Sequence, residues 1–157
     1  MNGRSWSIPG IEVTHRRVAI DANVLIYLLE ADELRGGRAR AVIDAVEQGR
    51  LSGVLATVGG LEVLTGPAKA RDQAGFERTA EEVRSLPLQA VSLSTAIAED
   101  AAWLRGSDGL SMADAIHVAT ARAAGATALI TNDHRIGAQA GLEVFYLDDL
   151  TLEQPLP

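Results

Sequence analysis

Arg17-Val18-Ala19-Ile20-Asp21-Ala22-Asn23-Val24-Leu25-Ile26-Tyr27-Leu28-Leu29-Glu30 is the stretch on which the fold turns. Val18 to Ile20 is a short continuous apolar run, the pattern of a buried strand, and it ends at an acid. From Asn23 to Glu30 the chain reads as a helix. Asp21 therefore stands at a strand-to-helix junction.

Working outward, Ala39, Val42, Ile43 and Val46 recur at i, i+3, i+4 and i+7, which predicts an amphipathic helix ending near Gly49. A strand is expected over about 53–57, and Gly59 to Leu64 opens a short helix that Gly66-Pro67 should stop. Phe76, Ala80 and Val83 mark another helix, residues 88–93 a third strand, and Ile97, Ala101 and Leu104 a helix closed by Gly106. Ser111 caps a helix running to about Ala123. Residues 126–131 form a strand ending at Asn132-Asp133, and residues 143–147 the last strand. Strands alternating with helices predict a three-layer α/β/α sandwich around a mainly parallel sheet. Residues 1–16 lack periodicity and are expected to be a leader packed loosely through Trp6 and Ile8. Residues 17–150 form the domain, and 151–157 a tail.

Length and composition agree with one compact domain: 157 residues, 47% apolar and only 4% aromatic. The absence of cysteine removes disulfides and thiolate metal sites, so a metal must be held by Asp, Glu or His. The longest apolar stretch, residues 24–29, falls far short of the ~20 residues of a membrane span, and no signal-peptide core is visible. A cytoplasmic protein is expected. The formal charge of −7 argues against binding nucleic acid through a broad basic face. Thirteen of the fourteen cations are arginine, however, the better fork for phosphate.

Asp21 and Asp133 fall where apolar strands end, at the crevice in which such a sheet collects ligands, and the topology allows Glu62, on a short helix, and Asp114, at a helix start, to face the same crevice. Each has an ordinary reading when taken alone. Asp21 can cap the following helix, and Glu62 can be a solvent-facing helix glutamate. Asp114 completes a capping-box-like Ser-x-x-Asp with Ser111, and Asp133 can be a turn residue. Together they would repel one another unless a hard divalent cation such as Mg²⁺ or Mn²⁺ relieved the repulsion.

Four segments carry a resemblance: residues 19–27, from Ala19-Ile20-Asp21 to Tyr27; Leu61-Glu62-Val63-Leu64-Thr65-Gly66-Pro67; residues 110–121, containing Ser111-Met112-Ala113-Asp114-Ala115-Ile116-His117; and Leu129-Ile130-Thr131-Asn132-Asp133. In this order they resemble the PIN-domain nucleases, particularly the VapC-type toxins of bacterial toxin–antitoxin pairs. The resemblance implies that Asp21, Glu62, Asp114 and Asp133 hold Mg²⁺ or Mn²⁺ and position water for hydrolysis of RNA. It also implies a homodimer and a cognate antitoxin that places a basic side chain in the acidic pocket. Asn23, Ser111 and Thr57 are candidates for orienting the carboxylates. Many relatives carry Ser or Thr three positions before the glutamate, where this chain has Gly59. Thr57 is then the nearby hydroxyl. His117, one turn after Asp114, is expected to pack against a strand rather than to bind metal.

Two other readings compete. Haloacid-dehalogenase-like phosphatases also place an Asp after the first strand, but they need a second Asp two residues on, where this chain has Asn23. A PIN-like scaffold that binds RNA or protein without cutting would not be expected to retain all four acids. The helix over residues 24–29 is apolar around most of its circumference, which calls for full burial or a covering chain. Arg35, Arg38, Arg40 and Arg71 are candidate RNA contacts, against their ordinary reading as solvated cations.

Overall fold

The computed structural model describes residues 6–139 and 141–154. The run beginning at Arg17 forms β1 (Arg17–Ile20), and Ala22–Leu29 forms a helix directly after it. With the short N-terminal helix α1 (Pro9–Glu12) counted first, that helix is α2, and α3 (Gly36–Glu47) follows. Next come β2 (Ser52–Ala56), α4 (Thr57–Lys69), α5 (Gln73–Ser85), β3 (Leu88–Val91), α6 (Thr95–Asp108), α7 (Met112–Ala123), β4 (Ala128–Thr131) and β5 (Glu143–Tyr146).

The five strands form one sheet in the order β3-β2-β1-β4-β5, and every neighbouring pair is parallel. Alternation along the strands divides the core in two. Val18, Ile20, Leu55, Ala128 and Ile130 face a layer built from α2 and α3, with Val24, Leu25, Val42 and Ile43 fully buried. Ala19, Val54, Ala56 and Leu129 face α6 and α7, meeting Ile97, Leu104, Ala115 and Val118. This is the expected three-layer α/β/α sandwich. The chain first builds outward from β1 through β2 to β3, then returns to lay β4 on the other side of β1. Strand order thus reverses between β1 and β4, and a parallel sheet opens a crevice at such a point.

Several boundaries differ from expectation. Helix α4 runs through Gly66-Pro67 to Lys69. Besides lacking an N–H, proline clashes with the Cβ of the residue before it, and Gly66, having no Cβ, removes that part of the cost. The helix stops at Ala70 and Arg71, the latter at φ 54°. Helix α6 passes Gly106 and ends at Gly109, whose φ of 68° is the left-handed conformation that closes a helix.

The segment expected to be a loose leader is packed where it is described. Pro9 opens the one-turn α1, a position that suits its missing N–H, and Ile8 and Ile11 are buried. A helix this short shows no period in the sequence. The buried His15 contacts Thr127 at 2.8 Å and Glu143 at 2.7 Å, and Glu12 pairs with Arg50. Ser7 and Glu153 exchange backbone hydrogen bonds of 2.8 and 3.0 Å, which ties the two ends of the described chain together. Trp6, expected as a packing contact, is 43% exposed.

Within α2, Ala22, Val24 and Leu25 are buried, whereas Ile26, Tyr27, Leu28 and Leu29 are half-buried against the core. Among the described residues, no helix is long and apolar enough to cross a membrane.

Candidate active site

Asp21 leaves β1 in an extended conformation and caps α2. It is 3% exposed. Its Oδ1 accepts from the Ala22 amide at 2.7 Å, and its Oδ2 accepts from the Thr131 hydroxyl at 2.7 Å and from Asn23 Nδ2 at 3.3 Å. A carboxylate held by three donors has one orientation and little freedom to leave it.

Thr131 is the last residue of β4, fully buried beside β1. Its hydroxyl donates to Asp21 and also accepts from the Asp133 amide at 3.0 Å, so one side chain positions two of the predicted acids. Asn23 reaches across the same gap: its Oδ1 accepts from the Asn132 amide at 3.1 Å. A proton donor for phosphatase chemistry is thus replaced here by an amide that braces a loop. Asn132 in turn pairs reciprocally with Asp148 beyond β5, at 3.2 and 3.1 Å.

Glu62 is on α4, and His117 is on α7 and only 2% exposed. His117 Nε2 lies 2.8 Å from Glu62 Oε1 and 3.2 Å from Asp21 Oδ1. Glu62 is therefore not an ordinary solvent-facing glutamate, and His117 does more than fill space against a strand. Gly59 lets the ring in. A Cβ at that position would lie 3.2 Å from His117 Cε1 and 2.7 Å from Leu55 Cδ1. One ligand atom each from Asp21, Glu62 and His117 falls within 4.8 Å of the others, an arrangement able to hold a metal ion.

Asp114 is 8% exposed in the first turn of α7, where Ser111 accepts from its amide at 3.2 Å. Burial raises the Asp114 carboxyl above its ordinary pKa; the Ser111 contact opposes this, and the charges of Asp133 and Asp21 add to it. Asp133 is shifted the opposite way. Arg135 grips both of its oxygens, at 2.9 Å from Nε and 2.7 Å from Nη2, and holds its carboxyl below the usual range. At His117, burial disfavours the imidazolium, but the hydrogen bond to Glu62 and the charges of Asp21, Glu62 and Asp114 outweigh it and raise the pKa.

Of the predicted residues, Asp21, Asn23 and Asp133 are joined through Thr131, while Glu62 meets Asp21 at His117. Asp114 is coupled to Asp21 and Asp133 through charge. Ser111 acts as a helix cap. Thr57 opens α4 and is exposed, and no hydrogen bond among the described residues joins it to the acids. Of the arginines named as RNA contacts, Arg35 pairs with Asp148, Arg38 donates to the Leu150 carbonyl, and Arg40 pairs with Asp44.

The residues unmarked by sequence reasoning are Thr131, Arg135 and, as a participant, His117. A hydroxyl ending the otherwise apolar Ala128-Leu129-Ile130 run was the available signal for Thr131. The oxygen-rich donors with one imidazole suit a divalent cation.

A parallel α/β/α sandwich with acids gathered at its strand-order reversal defines a protein with an acidic site able to hold a cation. The sequence matches the family model for the PIN domain over residues 18–142, and the chain belongs to that family. The fold is similar to DNA-bound VapBC from Salmonella typhimurium, with a TM-score of 0.67 and 14% identity, covering 84% of this chain and 98% of that one. It is also similar to a toxin–antitoxin complex from Klebsiella pneumoniae, at 0.59 and 23% identity, with 80% and 94% covered. A third likeness is to VapC20 of Mycobacterium tuberculosis, described as a sarcin-ricin loop cleaving toxin, at 0.57 and 18% identity, with 71% and 86% covered. No curated protein sequence matches the chain closely enough to count as a relative.

Proposed function

We propose that this chain is a divalent-metal-dependent endoribonuclease, the toxin member of a toxin–antitoxin pair, working in the cytoplasm with Mg²⁺ or Mn²⁺. The observation that carries the reading is the gathering of acids from four separate places: Asp21 after β1, Glu62 on α4, Asp114 on α7 and Asp133 after β4. Membership of the PIN family and a fold shared with toxin–antitoxin complexes support it.

A bound cation would lower the pKa of water and offset charge building on the phosphate. The chain's own residues supply the frame. Asp21 presents Oδ1 in the orientation set by Ala22, Asn23 and Thr131, and Glu62 offers Oε1 beside it. Thr131 keeps the loop carrying Asp133 in register with Asp21. Arg135, solvent-facing at the rim, holds the Asp133 carboxylate through Nε and Nη2. The half-buried row Ile26, Tyr27, Leu28 and Leu29 supports a covering chain, either a second copy or the antitoxin.

The test is cleavage of tRNA and rRNA fragments from the native host by the purified chain with Mn²⁺. Cleavage should stop on chelation and fall at least about a hundredfold in Asp21→Asn, the scale of losing one preorganised contact. An RNA panel left intact, with metal affinity unchanged in Asp21→Asn, would overturn the proposal. Elution as a monomer that ignores the product of the adjacent gene would remove its partner half.

A further inference from the structure

We infer that His117 is a direct metal ligand, and that its nitrogen makes the centre prefer Mn²⁺ over Mg²⁺. This rests on the proposed metal site and adds to it the identity of one ligand and the choice of ion.

The geometry is that of a coordination corner. An octahedral ion with ligands at about 2.1 Å sets adjacent ligands about 3.0 Å apart. His117 Nε2 lies 2.8 Å from Glu62 Oε1 and 3.2 Å from Asp21 Oδ1, on either side of that spacing; in the ion-free chain a proton bridges the first pair, and an ion bound there takes its place and releases it to solvent. The three side chains come from different parts of the chain, and Asp21 and His117 are placed independently of the ion. Asp21 is fixed by its three donors, and His117 is buried on α7.

Gly59 is the second observation. The His117 ring occupies space that a side chain at that position would need, since a Cβ there would approach Cε1 to 3.2 Å. The ring thus enters the site beside Gly59, a position at which this chain offers no side chain of its own. One imidazole nitrogen beside two carboxylate oxygens makes a softer ligand set than oxygens alone. Mg²⁺ retains oxygen ligands and waters, whereas later divalent ions accept imidazole more readily.

Pulsed electron paramagnetic resonance of the untagged full chain loaded with Mn²⁺ tests this directly. The expected spectrum contains a directly coordinated nitrogen, whose coupling changes when histidine is ¹⁵N-labelled. That coupling should survive His134→Gln, which alters the histidine beside Asp133, and vanish in His117→Gln. By calorimetry, His117→Gln should lose at least about tenfold in Mn²⁺ affinity and less than about threefold for Mg²⁺. Mn²⁺ bound without nitrogen coupling, while RNA cleavage remains metal-dependent, would overturn this inference and leave the nuclease reading standing. Coupling that persists in His117→Gln would overturn it equally. A chain that binds no Mn²⁺ would overturn both. The wild-type spectrum decides even if the variant fails to fold.

Discussion

Asp114 shows what the site costs the fold. Its carboxyl pKa is raised, chiefly by burial and then by the neighbouring acids, so the ionised form is less favourable in the folded chain than in the unfolded one. The penalty is absent below the ordinary carboxylate pKa and grows as pH rises through the elevated folded value. Asp114→Asn should therefore raise the melting temperature of the metal-free protein at neutral pH, with the gain fading in acid, even as it abolishes RNA cleavage. Thermal scans across pH check this, and an unchanged or lowered melting temperature at pH 7 would contradict it. At this scale the sequence showed where Asp21 and Asp133 lie, because apolar runs betray strand ends. It did not show that Glu62 and Asp21 meet on His117. That contact joins residues 55 positions apart and depends on the missing side chain of Gly59, which no local pattern announces.

Elements were legible wherever a periodic face was long enough to count. Helix α3 and helix α7 lie where their spacing and caps predicted, whereas α1 was invisible at four residues and α4 was cut short on the strength of Pro67. Loops were least legible, yet one of them aims Asp133. That loop is tied down by Asn132 and Asp148, and the Asn132 amide, before the nearby Arg35 and Arg38, holds the Asp148 carboxyl below its ordinary pKa. A depressed pKa contributes stability that is present above the unfolded value and is lost as pH falls through the folded one. Asn132→Ala should cost about 1 kcal/mol in urea unfolding, typical of a lost hydrogen-bonded contact, and shift the Asp148 carboxyl upward in an NMR titration. An Asp148 titration that does not move would show that Asn132 is not its main partner.

Across the whole molecule, the charge of −7 means that the proposed RNA substrate would meet an acidic surface. Among the described residues, Arg35, Arg40, Arg50, Arg84, Arg122 and Arg135 are already in ion pairs. With a net acidic surface and no broad basic face, RNA binding by cleavage-deficient Asp21→Asn should weaken only about sevenfold between about 50 and 200 mM salt, as for roughly two contacts. A fall of about a thousandfold would instead demand a basic face. The parallel topology, finally, sets a timetable for synthesis. Asp21 is bonded to Thr131, 110 residues further on, and β1 gains its β4 neighbour only after β2 and β3 have been made. A ribosome-bound chain that has not yet released residue 131 carries its first acid without the hydroxyl that orients it and without Asp133. The proposed site is thus complete only once β4 has been made and can fold beside β1.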